Sequence, residues 1–246
     1  MSWLVDPDAV AAEYESERGL RERVLAHREL VAGPDDDKVV RARIVAGRPR
    51  RLLEVGPGLG ELCAWARAEF GAEVVAVDSS PRMVELASTA GATGVLADMR
   101  QLPFPDDSFD CVVVNFVLYH VENPATAIAG LARVLEPGGI VIASTLSDDT
   151  MSRDQAWAEL FDEEPQPAPP PLSFSRENGR KLLLRHFEDV EQIDCDAELV
   201  FRDRERLARY VDAIPRMKGL GQRVPHLTEP FCLPEKTTVF QARSRT

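Results

Sequence analysis

The segment Leu52-Leu53-Glu54-Val55-Gly56-Pro57-Gly58-Leu59-Gly60 constrains this chain more than any other. A short apolar run ends in three alternating glycines. Asp78 follows 18 residues later, at the end of Val74-Val75-Ala76-Val77. An apolar strand entering a glycine-rich turn, then a second strand closed by an acid, is the layout with which a parallel sheet holds an adenosine-containing ligand at its carboxyl edge.

Each position has a physical reason. Gly56, Gly58 and Gly60 let the backbone turn sharply and approach a ligand without a Cβ in the way. The helix expected to start near Gly60 offers its amino terminus to the same ligand. Asp78, with Ser79 beside it, can accept hydrogen bonds from a ribose diol. The glycine spacing decides between ligand classes, because a pyrophosphate-binding fingerprint reads G-x-G-x-x-G. Here the pattern is Glu-x-Gly-x-Gly-x-Gly, with Glu54 inside the strand end. A carboxylate there repels a pyrophosphate and suits a ligand with a cationic amino acid portion. A nicotinamide oxidoreductase is therefore the weaker reading.

Further segments follow in order. They are Asp78-Ser79-Ser80-Pro81-Arg82-Met83, Ala97-Asp98-Met99, Leu102-Pro103-Phe104-Pro105-Asp106-Asp107-Ser108-Phe109-Asp110 and Leu135-Glu136-Pro137-Gly138-Gly139. With the glycine turn they resemble, in sequence and order, the motifs of class I S-adenosylmethionine-dependent methyltransferases, over roughly residues 50–145. The resemblance implies a Rossmann-like sheet of seven strands in the order 3-2-1-4-5-7-6, with the last strand antiparallel between strands five and six. It also implies S-adenosyl-L-methionine as cofactor, S-adenosyl-L-homocysteine as product and a small-molecule substrate of the O-, N- or C-acceptor kind. A member of the same fold that binds the cofactor without catalysis is the alternative.

The pattern along the chain agrees with a doubly wound α/β domain. Residues 8–46 read as helical with a break at Gly33-Pro34. Strands are expected near 51–55, 73–77, 93–97, 110–116 and 139–145, with helices near 60–70, 81–90 and 124–136 between them. Ser80-Pro81 and Asn123-Pro124 mark two of the helix starts. Short apolar strands alternating with amphipathic helices make a parallel sheet. Right-handed crossovers then bring Gly56, Asp78, Asp98 and Asn115 to one edge. Beyond it come an acidic helix, the stiff connector Pro165-Gln166-Pro167-Ala168-Pro169-Pro170-Pro171, a helix over 174–187, a sixth strand at Asp189–Ile193, a helix at Asp203–Ile214 and a last strand over 237–242. Two units are expected: a helical cap over 1–48, and the Rossmann-like domain over 49–246 with a substrate-side insertion near 146–175.

The resemblance carries over residue by residue. Gly56, Gly58 and Gly60 match the turn against the methionine portion, and Glu54 the acid that orients it. Asp78 and Ser79 match the ribose site. Met83 matches the apolar adenine contact, although its neighbours Val84, Leu86 and Ala87 make an ordinary core position equally suitable. Asp98 matches the partner of the adenine amino group, with Met99 next to it, and Asn115 faces the sulfonium region. Tyr119 and His120 follow strand four on the substrate side. His120 suits a base near neutral pH, a methyl-facing donor or a plain loop histidine. Tyr14 suits a residue closing over the cofactor or an amphipathic core tyrosine. His27, His186 and His226 stand in no pattern and read as surface or structural.

Composition limits the remaining classes. A net charge of −12 argues against a nucleic-acid or anionic-membrane partner. The N-terminus lacks signal-peptide character and no apolar run reaches the roughly 20 residues that span a bilayer, so a cytoplasmic monomer or homodimer is expected. Cys63, Cys111, Cys195 and Cys232 form no C-x-x-C pair. Ser144-Thr145 stand where metal-dependent members carry acids, so no metal is expected. Asn115-Phe116-Val117-Leu118 lacks the prolines of enzymes that methylate exocyclic amines.

Overall fold

A computed structural model describes residues 6–164, 167 and 169–245. Its centre is one sheet. The strands are β1 (Val31–Ala32), β2 (Arg51–Val55), β3 (Glu73–Asp78), β4 (Thr93–Leu96), β5 (Phe109–Asn115), β6 (Leu135–Leu146), β7 (Phe187–Phe201) and β8 (Phe231–Ser244). They lie in the order β1-β7-β8-β6-β5-β2-β3-β4. From β4 to β6 the pairing is parallel, and β8 runs antiparallel between β6 and β7. Leaving β1 aside, this is the expected order, 3-2-1-4-5-7-6.

Three differences from the sequence reading have local causes. β1 is an eighth, two-residue strand, with Val31 opposite Leu199. Helical periodicity carried Val31 into the preceding helix, whereas β7 extends far enough to capture it. β7 and β8 are much longer than the short apolar runs they contain, because they form a two-stranded ribbon in which Asp194–Glu198 pair with Pro234–Thr238. The helix expected over 174–187 shrinks to α8 (Gly179–Leu183). Pro165, Gln166 and Ala168 of the proline connector lie outside the described residues, as does Met1–Val5.

Side chains alternate across the central strands and build two cores. Leu53, Val55, Val112 and Val114 face the helix α6 (Ala125–Val134) through Ile128 and Leu131. Leu52, Val74, Ala76, Cys111 and Val113 face α3 (Asp36–Gly47) and α4 (Glu61–Phe70) through Val40, Ile44, Leu62 and Ala66. A third cluster joins Ala26 of α2 (Arg18–Leu30), Trp157 of α7 (Met151–Phe161), Leu199 and Phe201 of β7, and Leu207 and Tyr210 of α9 (Arg204–Asp212). α2 is thereby anchored on the β7–β8 end of the sheet.

α5 (Pro81–Thr89) starts where the sequence placed it, the Ser80 hydroxyl accepting from the Met83 amide. α6 begins one residue late, with Pro124 as the boundary and Asn123 accepting from the Ala125 amide. The remaining helix, α1 (Pro7–Glu13), ends at Tyr14. Among the described residues no helix is long and apolar enough to cross a membrane.

Candidate active site

The carboxyl ends of β2, β3, β5 and β6 open onto one cavity of about 1830 Å³. Ligand pockets for a single drug-sized molecule run to roughly 1,000 Å³, so two ligands fit here. Gly56 follows β2, its amide donating to the Val77 carbonyl at 2.9 Å and stitching the turn to the end of β3. It sits at φ +70°, and a Cβ there would run into the Val117 side chain. Gly60 (φ +75°) caps α4, with Ala90 of the neighbouring helix 2.9 Å from where its Cβ would be. The second demand was missed in the sequence: these glycines make room for the protein itself as well as for a ligand.

The structure places Tyr14, Glu54, Gly56, Gly58, Asp78, Ser79, Met83, Asp98, Met99, Asn115, Tyr119 and His120 on the wall of this one cavity. Gly60 is off the wall, turned against α5. Met83 is a fully buried core residue that also borders the cavity.

Asp78 accepts from the Ser80 amide at 2.8 Å. Burial pushes its carboxyl up to about 6, against the pull of the Ser80 and Ser79 amides. It is mainly ionised at neutral pH, as a diol acceptor must be. Asp98 is held below the usual carboxylate range by the Arg100 side chain, which takes both its oxygens. Asn115 Oδ1 accepts from the Ser144 hydroxyl at 3.1 Å.

Glu54 departs from the expected electrostatics. Its carboxyl is buried and pushed up to about 8, with the Cys63 thiol donating to it at 2.8 Å. Without a cation beside it, Glu54 is mostly neutral at pH 7 and does not yet repel a pyrophosphate. The exclusion of pyrophosphate ligands therefore rests on glycine spacing. An arriving ammonium would draw the proton off. Cys63 carried no sequence signal; it meets Glu54 only because α4 folds back over β2.

The N-terminal segment is fastened over the turn. The Ser80 hydroxyl donates to the Tyr14 carbonyl at 2.8 Å, and Arg82 forks onto Glu17 at 2.9 and 2.8 Å. That hydrogen-bonded pair pulls the Glu17 carboxyl down to about 2. The Tyr14 hydroxyl lies 3.2 Å from His120 Nε2, with the rings edge to face. Burial raises Tyr14 to about 12 and pushes Tyr119 up further. Both phenols stay protonated at neutral pH and act as donors, not bases.

The rest of the wall was not found in the sequence. It includes Arg23, His27, Arg153, Tyr210 and Glu235. His27 was read as surface or structural; it is partly buried beside Glu235 (3.0 Å), Asp36 (3.5 Å) and Asp35 (3.6 Å). Burial works against its charge, but the Glu235 hydrogen bond and the surrounding carboxylates raise it to about 9. These residues come from four separate elements and share no spacing.

Residues 53–143 match the family described as "Methyltransferase domain". Over that segment the chain is similar to methyltransferases. A malonyl-[acyl-carrier protein] O-methyltransferase of Halorhodospira halophila is 35% identical over 135 residues, 52% of this chain and 46% of the relative. A demethylmenaquinone methyltransferase of Clavibacter sepedonicus is 42% identical over 108 residues, 42% of this chain and 43% of the relative. These matches span about half the length of the curated relatives. The N-methyltransferase NodS of Bradyrhizobium japonicum, solved with S-adenosyl-L-homocysteine, shares the fold at TM-score 0.54 and 17% identity, covering 85% of each chain. The matched segment thus covers the glycine turn, the β3 acid and the strands that converge on the cavity. The helices α1–α3, α7, α9 and the β7–β8 ribbon fall outside the matched family segment.

Proposed function

We propose that this protein transfers a methyl group from S-adenosylmethionine to a small organic acceptor. The observation that carries the reading is the convergence, on one cavity too large for a single ligand, of the glycine turn, Asp78, Glu54 and the Tyr14–His120 pair. The donor set fits this cofactor. Asp78 and Ser79 suit a ribose, Met83 and Met99 an adenine face, Asp98 its amino group, and Glu54 beside Gly56 and Gly58 an amino acid end. Bound there, the cofactor supplies a methyl group already activated on sulfur.

The chain's own contribution is chiefly positioning, which can supply roughly 7–11 kcal/mol, against about 3–5 kcal/mol for a general base. Asn115 fixes the floor through Ser144. Tyr14, as a neutral phenol, donates to His120 Nε2, which leaves the imidazole proton on Nδ1. His120 then takes a proton from an acceptor only if Tyr14 moves aside, so its first role is to hold a polar acceptor atom. Tyr119 acts as a buried donor next to it. Relatives act on acceptors named as malonyl-[acyl-carrier protein] and demethylmenaquinone; this chain's acceptor is placed in the same broad class of small molecules or small groups. The helices α1–α3 serve as a cap over the Rossmann-like body, with α7 on the acceptor side. A cytoplasmic monomer or homodimer without nucleic-acid partners accords with the net charge of −12.

Calorimetry of the full chain against S-adenosylmethionine, S-adenosylhomocysteine and NAD tests the reading. Both sulfur ligands should bind in the range of about 1 μM to 1 mM typical of enzyme–substrate pairs, and NAD should not. Absence of binding by both defeats it.

A further inference from the structure

Arg153 is the cation on the cavity wall whose surroundings differ from those of its neighbours. Its side chain is three-quarters buried. Among the described residues its guanidinium makes one hydrogen bond, from Nη2 to the Tyr210 hydroxyl at a long 3.4 Å. The carboxylate facing it, Glu235, stands 3.9 Å away and directs its other oxygen to His27 at 3.0 Å. The other well-covered arginines of the wall are satisfied: Arg23 binds Glu13 at 2.6 Å and the Ala213 carbonyl, and Arg82 forks onto Glu17. Arg216 is half-exposed and 3.6 Å from Asp154.

The guanidinium lines the cavity with part of its surface exposed, so its remaining N–H positions are available to an acceptor there. Its planar fork matches a carboxylate in two-point contact. One helical turn on, Trp157 is also on the wall, and its buried indole N–H has no hydrogen-bond partner among the described residues. α7 thus brings the Arg153 guanidinium and the Trp157 ring to one cavity. The guanidinium shares the cavity wall with Tyr119 and His120, and its charge opposes the rise that burial imposes on the Tyr119 and Tyr210 phenols.

We propose that the acceptor is a carboxylic acid whose carboxylate docks on Arg153, presenting a different atom of the same molecule toward Tyr14 and His120 for methylation. Two-point docking occupies the carboxylate oxygens and leaves them poor methyl acceptors, so the carboxylate is an anchor. The acid's body lies against Trp157, Leu172 and Ile214, which supply the apolar wall on that side. Glu235 does not repel it strongly, because the protonated His27 is bound to that carboxylate. This inference rests on the methyltransferase reading and names its substrate class.

The test uses the full chain saturated with S-adenosylhomocysteine and titrated with acetate, benzoate and octanoate, and with acetamide, benzamide and octanamide. At least one acid should bind about tenfold or more tightly than its amide, as expected for a charge-assisted pair in a sheltered site. Arg153→Met should reduce that acid to the level of its amide, and Arg153→Lys should keep only part of the preference. Both variants should retain wild-type affinity for S-adenosylhomocysteine, which is also the check that they are folded. If no acid is preferred over its amide, or if Arg153→Met keeps the preference, the proposal is overturned. Failure of the wild type to bind S-adenosylhomocysteine would instead defeat the methyltransferase reading.

Discussion

Asp78→Asn isolates the charge of the ribose-facing acid from its shape. Asp78 Oδ1 is committed to the Ser80 amide, so the second oxygen is the one a diol would meet. A hydrogen bond to a charged acceptor contributes about 1.5–3 kcal/mol and a neutral one about 1 kcal/mol. Replacing carboxylate by amide should therefore cost about 0.5–2 kcal/mol, or roughly two- to thirty-fold in affinity. Burial raises the Asp78 pKa to about 6, above its ordinary 3.8. The ionised form that binds is thus lost as the pH falls through 6. Between about pH 7 and pH 5 the ionised fraction falls from roughly nine-tenths to one-tenth, so this group should lower affinity for S-adenosylhomocysteine by about two- to eightfold. Calorimetry from pH 5 to pH 8 should show a steeper fall below pH 7 in the wild type than in Asp78→Asn, which keeps only the dependence due to Glu54. A further rise toward pH 8 belongs to Glu54, pushed up to about 8, and should persist in the variant. An equal slope below pH 7 in both proteins would refute the assignment of Asp78 to the ligand.

Other perturbations address the scaffold and the cap. Gly56→Ala combines a φ of +70° with a clash against Val117, whereas Gly71→Ala has a φ of +63° and no heavy atom within 4 Å of its Cβ. Urea melts should show a loss of about 1 kcal/mol for Gly71→Ala and about 2–4 kcal/mol for Gly56→Ala, and equal losses would disprove the packing argument. Arg82→Ala removes the fork on Glu17 that holds the Tyr14 segment down; stopped-flow release of S-adenosylhomocysteine should accelerate, and an unchanged rate would remove this pair from cofactor retention. His27 is raised from 6.5 to about 9, so its stabilisation is complete below pH 6.5 and is lost as the pH rises through 9. That contribution is roughly 1–3 kcal/mol. His27→Gln should flatten the fall in urea midpoint between pH 6.5 and pH 9.5, and a variant as pH-dependent as the wild type would show that the cluster does not hold the cap.

The cofactor half of the cavity was legible because its residues sit at the ends of strands that local pattern identifies. A strand end is fixed by its own apolar run and the turn that follows, and parallel topology brings such ends to one edge. Glu54 was found by position and misjudged in charge, since its ionisation depends on Cys63 and on burial under α4. Arg153, Glu235 and His27 were not found at all. Each lies in a segment whose periodicity reports only a helix or strand.

The sequence by itself determined the central strands, the glycine turn, the helix starts at Ser80 and near Asn123, and the acids that end or follow β3 and β4. All of these are properties of the backbone over a few residues, where φ preferences, capping and alternation act. Only the tertiary structure decided which side chains share the acceptor side, that Tyr14 meets His120 across 106 positions of chain, and that Arg153 faces the cavity with its fork open. Those depend on how α2, α7, α9 and the β7–β8 ribbon pack together. Packing follows from shape and burial summed over many residues, and it leaves no spacing in the chain from which it can be read.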